Sequence, residues 1–162
     1  METKNYPLIS ALCVTRAKPN LLQRAISCFL NQTYENKELI VVHDSDDLLT
    51  KDFVENFKQN SMISFYEVEK TKSVTLGYLR NYAIEKSNGA YVCQWDDDDW
   101  YHIARMEYLH EAISISGLPA AIMTQWLIFD SINNKAYASH KRLWEGSIIC
   151  DKTIIQNIGY DH

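Results

Sequence analysis

Trp95–Asp96–Asp97–Asp98–Asp99–Trp100 sets four acids in a row between two tryptophans. Four consecutive carboxylates repel one another and are costly to desolvate, so they do not pack into a core. Ahead of them, Ala90–Tyr91–Val92–Cys93–Gln94–Trp95 is a mostly apolar, partly aromatic run that reads as a strand. Behind them, residues 102–116 have the periodicity of an amphipathic helix. The four acids therefore stand where a buried strand leaves the core and a helix begins, the place where open α/β sheets bind ligands. Hard carboxylate oxygens there suit Mg2+ or Mn2+, and through the ion a phosphate-bearing ligand. The competing reading is a solvated loop in which Asp99 only favours the start of the next helix. Aromatic residues on both sides of the run count against it.

Toward the N-terminus, Leu8 to Thr15 is an apolar first strand, and Ala17–Lys18–Pro19–Asn20 is a turn with Pro19 placed for a first helical turn. Leu21, Leu22, Ala25, Ile26, Phe29 and Leu30 recur at helical spacing. Glu38 to His43 is a second strand that runs directly into Asp44. Strand, helix, strand in this order predicts two parallel strands joined by a right-handed crossover. A helix is expected over 48–60 with Leu49, Phe53, Val54 and Phe57 inward, and a third strand over 62–68. A further helix is expected over 76–87, with Leu76, Leu79, Tyr82 and Ala83 inward and Asn88–Gly89 as a left-handed cap. Downstream of the acids, Ile103, Met106, Leu109, Ala112 and Ile113 form the inner row of a helix stopped by Gly117–Leu118–Pro119.

Beyond Pro119 the pattern changes. Residues 120–129 and 135–144 read as two strands around a tight turn at Asn133–Asn134, followed by a short strand over 147–150 and a helix begun by Asp151. The expectation is one α/β domain over residues 1–162, with a mixed, mostly parallel sheet and helices on both faces. The antiparallel part is expected to extend that same sheet. If the second and fourth strands flank the first, Asp44 and the Asp96–Asp99 run share one crevice.

The net charge of −5 is local: without Asp44, Asp46, Asp47 and Asp96 to Asp99 the remainder of the 162 residues is +2. A local acidic cluster suits a cation, and no basic stripe marks a nucleic-acid partner. Cys13, Cys28, Cys93 and Cys150 lie in apolar stretches without a C-x-x-C pair, which reads as reduced, buried thiols in a cytoplasmic protein. Met1 to Tyr6 is polar, unlike a signal peptide, and no apolar run approaches the ~20 residues of a membrane span. Peripheral association with the inner face of the membrane stays open.

Two long blocks resemble the family 2 glycosyltransferases, which have the GT-A nucleotide-sugar-binding fold. One is PLISALCVTRAKPNLLQRAISCFLNQTYENKELIVVHD over 7–44; the other is GYLRNYAIEKSNGAYVCQWDDDDW over 77–100, leading into a D-x-D-D motif. Their order and spacing extend the resemblance over nearly the whole chain. It implies Thr15 and Arg16 beside the base and phosphates of a nucleotide, and Asp44 accepting the imide N–H of a uracil-type base. It implies Arg80 near the phosphates, with Asn81 fixing that helix. Asp98 is then a direct ligand of Mg2+ or Mn2+, Asp96 contacts the ribose or the ion's water shell, and Asp99 faces the sugar, leaving Asp97 a spacer. Simpler roles compete: Thr15 as a strand-end residue, Arg80 paired with Glu85, and Asp46 and Asp47 as turn or cap residues. Trp95 is expected in the core, and Trp100 and Tyr101 either form a sugar platform or pack the helix start. His140, Lys141 and Arg142 either close over phosphates or form a solvated basic loop. His43 stands where the family usually has Asp.

The resemblance implies transfer of a sugar, from a UDP-sugar in the first instance, to a glycan or lipid-linked acceptor with inversion, as in surface-polysaccharide assembly. Inversion needs a general base, which in the family follows a G-x-[FY]-D segment. Gly159–Tyr160–Asp161 resembles that lead-in, so the base is expected beyond His162 and the catalytic residue is unknown. The rivals are a nucleotidyltransferase, opposed by the absence of Gly from residues 11–20, and a non-catalytic donor-, calcium- or glycan-binding module.

Overall fold

The computed structural model describes residues 6–161; Met1–Asn5 and His162, and with them most of the polar N-terminus, lie outside the described residues. The chain runs β1 (Ile9–Thr15), α1 (Pro19–Leu30), β2 (Lys37–Asp44), α2 (Leu48–Val54) with a 3-10 turn over Glu55–Phe57, β3 (Ile63–Val68), α3 (Leu76–Lys86) and β4 (Tyr91–Gln94). It continues through α4 (Arg105–Ser116), β5 (Ala120–Ala121), β6 (Leu127–Asp130), β7 (Lys135–Ala138), a 3-10 turn over Glu145–Ser147, β8 (Ile149–Asp151) and α5 (Lys152–Ile158). The main sheet has the order β3-β2-β1-β4-β8-β5. β3, β2, β1 and β4 pair in parallel, and β8 is antiparallel to both β4 and β5. The expected α/β class, mostly parallel, is what the chain forms.

Strand order reverses at β1: the chain steps outward to β2 and β3, then returns to add β4 on the other side. That is a topological switch point, and it opens a crevice at the carboxyl ends of the strands. The register sets what meets there. Thr15 lies opposite His43, so Asp44 is one residue past the end of β1. Leu12 lies opposite Gln94, and Trp95 extends the ladder by donating its N–H to the Leu12 carbonyl at 2.9 Å. The acidic run therefore emerges at the level of the end of β1.

Both sheet faces are covered, so β1 and β2 read as continuous apolar runs rather than alternating ones. Ala11, Cys13, Leu39, Val41 and Cys93 face α1 and α4, meeting Leu22, Ile26, Phe29, Met106, Leu109 and Ile113. Leu12, Ile40, Val42 and Val92 face Leu79, Ala83 and Ile84 of α3, with Ile155 of α5 against the same layer. Trp95 is fully buried and donates its indole N–H to the Ala25 carbonyl at 3.1 Å. Burial pushes the thiols of Cys13, Cys93 and Cys150 up, that of Cys150 to about 12.

Several expectations are corrected. Leu49 and Leu76 are exposed, while Thr50 and Ile84 take inward positions. In α2 the reason is a polar network, since Asp47 caps the helix by accepting from the Thr50 N–H at 3.1 Å and from its hydroxyl. Ile103 is likewise exposed, because α4 begins at Arg105 rather than 102, and Ala112 is exposed because it lies outside the buried row of α4, which is Arg105, Met106, Leu109 and Ile113. Gly117, at φ 66°, does end α4 in the left-handed region. Gly89 does not cap α3, which ends at an extended Ser87. Its lack of a side chain serves close approach: a Cβ there would meet Ser10 Oγ at 2.6 Å and the Leu8 and Tyr91 carbonyls at 2.7 Å. The β6–β7 hairpin is not an extension of the main sheet but a separate two-stranded sheet, because β8 takes the place beside β4. Its turn has four residues, with Asn134 at φ 52° and Asp130 accepting the Ile132 and Asn133 N–H groups. Among the described residues no helix is long and apolar enough to cross a membrane.

Candidate functional site

At the β4 edge, Asp97 is buried and accepts the Thr15 hydroxyl at 2.7 Å. It is a pin between the end of β1 and the acidic run, not a spacer. Its neighbours consequently turn the other way: the Asp96 and Asp98 side chains are 28% and 54% exposed. Lys18 Nζ lies 3.1 Å from Asp98 Oδ2 and 3.5 Å from Asp97 Oδ1. Arg24 of α1 donates to the Asp98 carbonyl at 2.5 Å and lies over the exposed Trp100 ring. Asp99 is half-buried, and burial, then the charges of Asp96 and Asp98, push its carboxyl up to about 6.

Asp96 accepts from Gln94 Nε2 at 2.7 Å and from Arg80 Nη2 at 3.4 Å, both on Oδ1. Arg80 therefore points to the acidic run, while Glu85 pairs with Lys86. Tyr101 lies under Trp95, ring centroids 4.0 Å apart, and its hydroxyl accepts the Asp96 N–H at 2.7 Å. Of the two aromatics after the run, Tyr101 packs the helix start and Trp100 faces solvent.

At the β2 edge, Asp44 is 2% exposed. Its Oδ2 accepts from Arg16 and, at 3.2 Å, from Lys70 Nζ. Its Oδ1 is buried with no hydrogen-bond partner among the described residues. A buried acceptor left unpaired is costly, and a donor arriving from a ligand would satisfy it. Arg16 also reaches Asp46 with both terminal nitrogens at 3.1 Å. The Asp46 and Asp44 carboxylates together hold its guanidinium pKa above the usual value. Asp47 accepts the Ala17 N–H at 2.7 Å, tying α2 to the end of β1. Burial works to raise the Asp47 pKa, and the Thr50 and Ala17 donors outweigh it, so the net direction is down. His43 is buried, with Nδ1 3.1 Å from the Asp44 carbonyl. Arg142 lies 3.9 Å over the Trp144 ring and pairs with Glu145 at 3.7 Å.

Thr15, Arg16, Asp44, Asp96, Asp98 and Asp99 thus stand at the carboxyl ends of β1, β2 and β4, and Arg80 reaches Asp96 from α3. Sequence reasoning missed Lys18, Arg24, Gln94 and Arg105. Arg105 is 4% exposed, donates to the Gln94 and Gly146 carbonyls at 2.8 and 3.0 Å, and stacks 4.3 Å over Tyr101. Its signal was its place: Arg105, Leu109 and Ile113 recur every four residues, which puts a cation on an apolar stripe.

Among the described residues no three His, Cys, Asp or Glu side chains converge as a preformed metal cluster. The donor set is two partly exposed carboxylates, Asp96 and Asp98. That fits an ion such as Mg2+ or Mn2+, which keeps waters and takes oxygens from a diphosphate. It does not fit a metal that needs a closed set of protein ligands.

The family model of Glycosyl transferase family 2 matches residues 10–161. The chain is 29% identical over 100 residues to the putative glycosyltransferase EpsH of Bacillus subtilis, covering 62% of this chain and 28% of the relative. It is 31% identical over 113 residues to an uncharacterized glycosyltransferase of Haemophilus influenzae, covering 64% and 41%. Among solved structures, S. aureus TarS in complex with UDP-GlcNAc superimposes with a TM-score of 0.74 at 14% identity, over 93% of this chain and 47% of that one. The mannosyltransferase PcManGT of Pyrobaculum calidifontis, in complex with GDP-Man and Mn2+, superimposes with a TM-score of 0.71 at 12% identity, over 97% and 48%. The chain spans less than half the length of each of these four proteins. The likeness to the two structures makes the fold GT-A. With the family match covering nearly all of its length, the chain belongs to glycosyl transferase family 2.

Proposed function

We propose that the protein transfers a sugar from a nucleotide-sugar, a UDP-sugar in the first instance, to a glycan or lipid-linked acceptor with inversion, in surface-polysaccharide assembly. The observation that carries the donor half is the crevice itself: an Asp44 oxygen buried without a donor at one end, and the exposed Asp96 and Asp98 carboxylates at the other. Asp44 Oδ1 would accept the base imide N–H. Thr15 would lie beside the base and phosphates while its hydroxyl holds Asp97, and Arg16 would swing between Asp44 and the ligand. Arg80 and Lys18 would meet diphosphate oxygens, and Asp99 the sugar. Asp96 and Asp98 would hold Mg2+ or Mn2+, which when bound supplies charge to stabilise a diphosphate leaving group. The UDP-GlcNAc and GDP-Man with Mn2+ held by the two structural neighbours support a nucleotide-sugar and a divalent ion. The general base is assigned to none of the described residues. The proposed place of action is cytoplasmic, at the inner face of the membrane where a lipid-linked acceptor would be presented.

Calorimetry with UDP and with GDP, each with and without Mn2+, tests the reading. Metal-dependent heat with UDP is the expected result, and none with either nucleotide overturns it. Asp98→Asn should weaken binding tenfold or more, on the order of a lost charged ligand contact. Asp52→Asn, on the exposed side of α2, should leave it unchanged. Asp47 is no control, because it is buried and caps that helix.

A further inference from the structure

The segment after α5 turns back over α3 and is held there in two ways. The Asn81 side chain pairs with both backbone groups of Tyr160, accepting its N–H at 2.8 Å and donating to its carbonyl at 3.0 Å. Gly77 then lies so close beneath Asp161 that a Cβ would sit 1.8 Å from the Asp161 carbonyl oxygen. The Tyr160 ring, so placed, lies under the Arg80 guanidinium at 5.3 Å.

Its hydroxyl donates to Gln94 Oε1 at 3.2 Å. An amide whose oxygen is occupied by a donor must present its nitrogen on the other side. Gln94 Nε2 accordingly donates to Asp96 Oδ1 at 2.7 Å. Arg80, braced on the Tyr160 ring, approaches the same oxygen at 3.4 Å. Oδ1 is thus held twice, and both holds trace back to one tyrosine. The other oxygen, Oδ2, points toward Gly146, where a Cβ would come within 2.9 Å of it. Burial pushes the Tyr160 phenol up, so it remains a donor at neutral pH.

We propose that Tyr160 is a positioning residue that orients the Asp96 carboxylate through the Gln94 amide and the Arg80 guanidinium, so that docking of the 159–161 segment sets the metal–diphosphate end of the crevice. The inference rests on the reading of that crevice as a nucleotide site. The hydroxyl does not touch the ligand; it fixes which Asp96 oxygen is free to meet one.

The test is UDP titration of the whole chain in Mn2+ and again in EDTA, comparing wild type with Tyr160→Phe, which keeps the ring under Arg80. Affinity in Mn2+ should fall about five- to tenfold, the scale of one lost orienting hydrogen bond. Affinity in EDTA should not change, and the thermal midpoint should fall by only about 2–4 °C, the scale of one lost hydrogen bond to a buried amide. Gln94→Met, which keeps the side-chain size and loses the donor to Asp96 without adding a charge, should show the same selective loss. Equal affinity for wild type and Tyr160→Phe in Mn2+ overturns the role of Tyr160. An equal loss in Mn2+ and EDTA also overturns it, since that is the signature of general loosening. If wild type shows no Mn2+-dependent UDP binding, the nucleotide reading falls first and this inference with it.

Discussion

Replacing Thr15 by Val removes one hydroxyl and keeps the side-chain shape. Thr15 is 3% exposed, and its Oγ1 lies 2.7 Å from Asp97 Oδ2, itself on a side chain only 7% exposed. The other donor to that carboxylate is Lys18 at 3.5 Å, on the edge of hydrogen-bonding distance. A hydrogen bond to a charged group contributes about 1.5–3 kcal/mol, and its loss leaves a buried carboxylate under-satisfied. Thr15→Val should therefore destabilise the chain by about 2 kcal/mol. In a domain of this size that lowers the thermal midpoint by roughly 4–8 °C. Thr15→Ser is the comparison. It keeps the hydroxyl and loses one buried methyl, which costs about 1 kcal/mol. Urea unfolding at pH 7 orders the three proteins, and the expected order is wild type, then Ser, then Val. A Val variant as stable as the Ser variant, or more stable, would refute the role given to the Thr15–Asp97 bond. The methyl would then matter more than the hydroxyl.

Asp99 carries a pH signature. Its carboxyl is pushed up to about 6, by burial first and then by Asp96 and Asp98, from an ordinary value near 3.8. The folded state therefore holds the proton more tightly than the unfolded one, and stability falls as pH rises from about 4 to about 6 and then levels. Asp99→Asn should be more stable than wild type at pH 7, with the gain fading to nothing near pH 4; thermal midpoints across that range check it, and a pH-independent difference contradicts it. Gly89→Ala should cost about 2 kcal/mol, because its Cβ would meet two backbone oxygens and Ser10 Oγ at 2.6–2.7 Å, and backbone yields poorly. A neutral Ala variant in urea unfolding would show that the close approach relaxes freely.

The parallel half of the fold was legible because its signals are local. Apolar runs of strand length alternate with 3.6-residue periodicity, and the acids sit at strand ends where the register puts them. The crevice followed once β2 and β4 flanked β1. What was not legible came from tertiary competition. Leu49 lost its inward place to Thr50 because Asp47 needed the hydroxyl, a trade invisible to a hydrophobic count. Gly89 looked like a helix cap because glycine serves both left-handed turns and close approaches, and only the neighbouring carbonyls tell them apart. Asp97 looked like the idle member of its run because alternation gives direction without saying which side is buried. The β6–β7 hairpin was visible as a pair, but no local feature says whether a pair joins a sheet or stands apart. Lys18 was passed over because it acts on Asp97 and Asp98, 79 and 80 residues away, and Gln94 because the partner of its amide oxygen, Tyr160, lies 66 residues further on.

Strand order also fixes how the two ends of the crevice are held together. The Arg16–Asp44 contact spans 28 residues, and the Thr15–Asp97 bond spans 82. Closing the longer loop costs about 1 kcal/mol more in chain entropy than closing the shorter. The Asp44 end thus belongs to one compact strand–helix–strand unit, while the Asp96–Asp99 end must be brought in from beyond α2, β3, α3 and β4. A molecule lying across both ends is a clasp between distant parts of the polypeptide. At a hundredfold excess over its dissociation constant it would add about 2.7 kcal/mol to the stability of the folded chain. On the proposed reading, a nucleotide-sugar bound there would be a structural component of the domain.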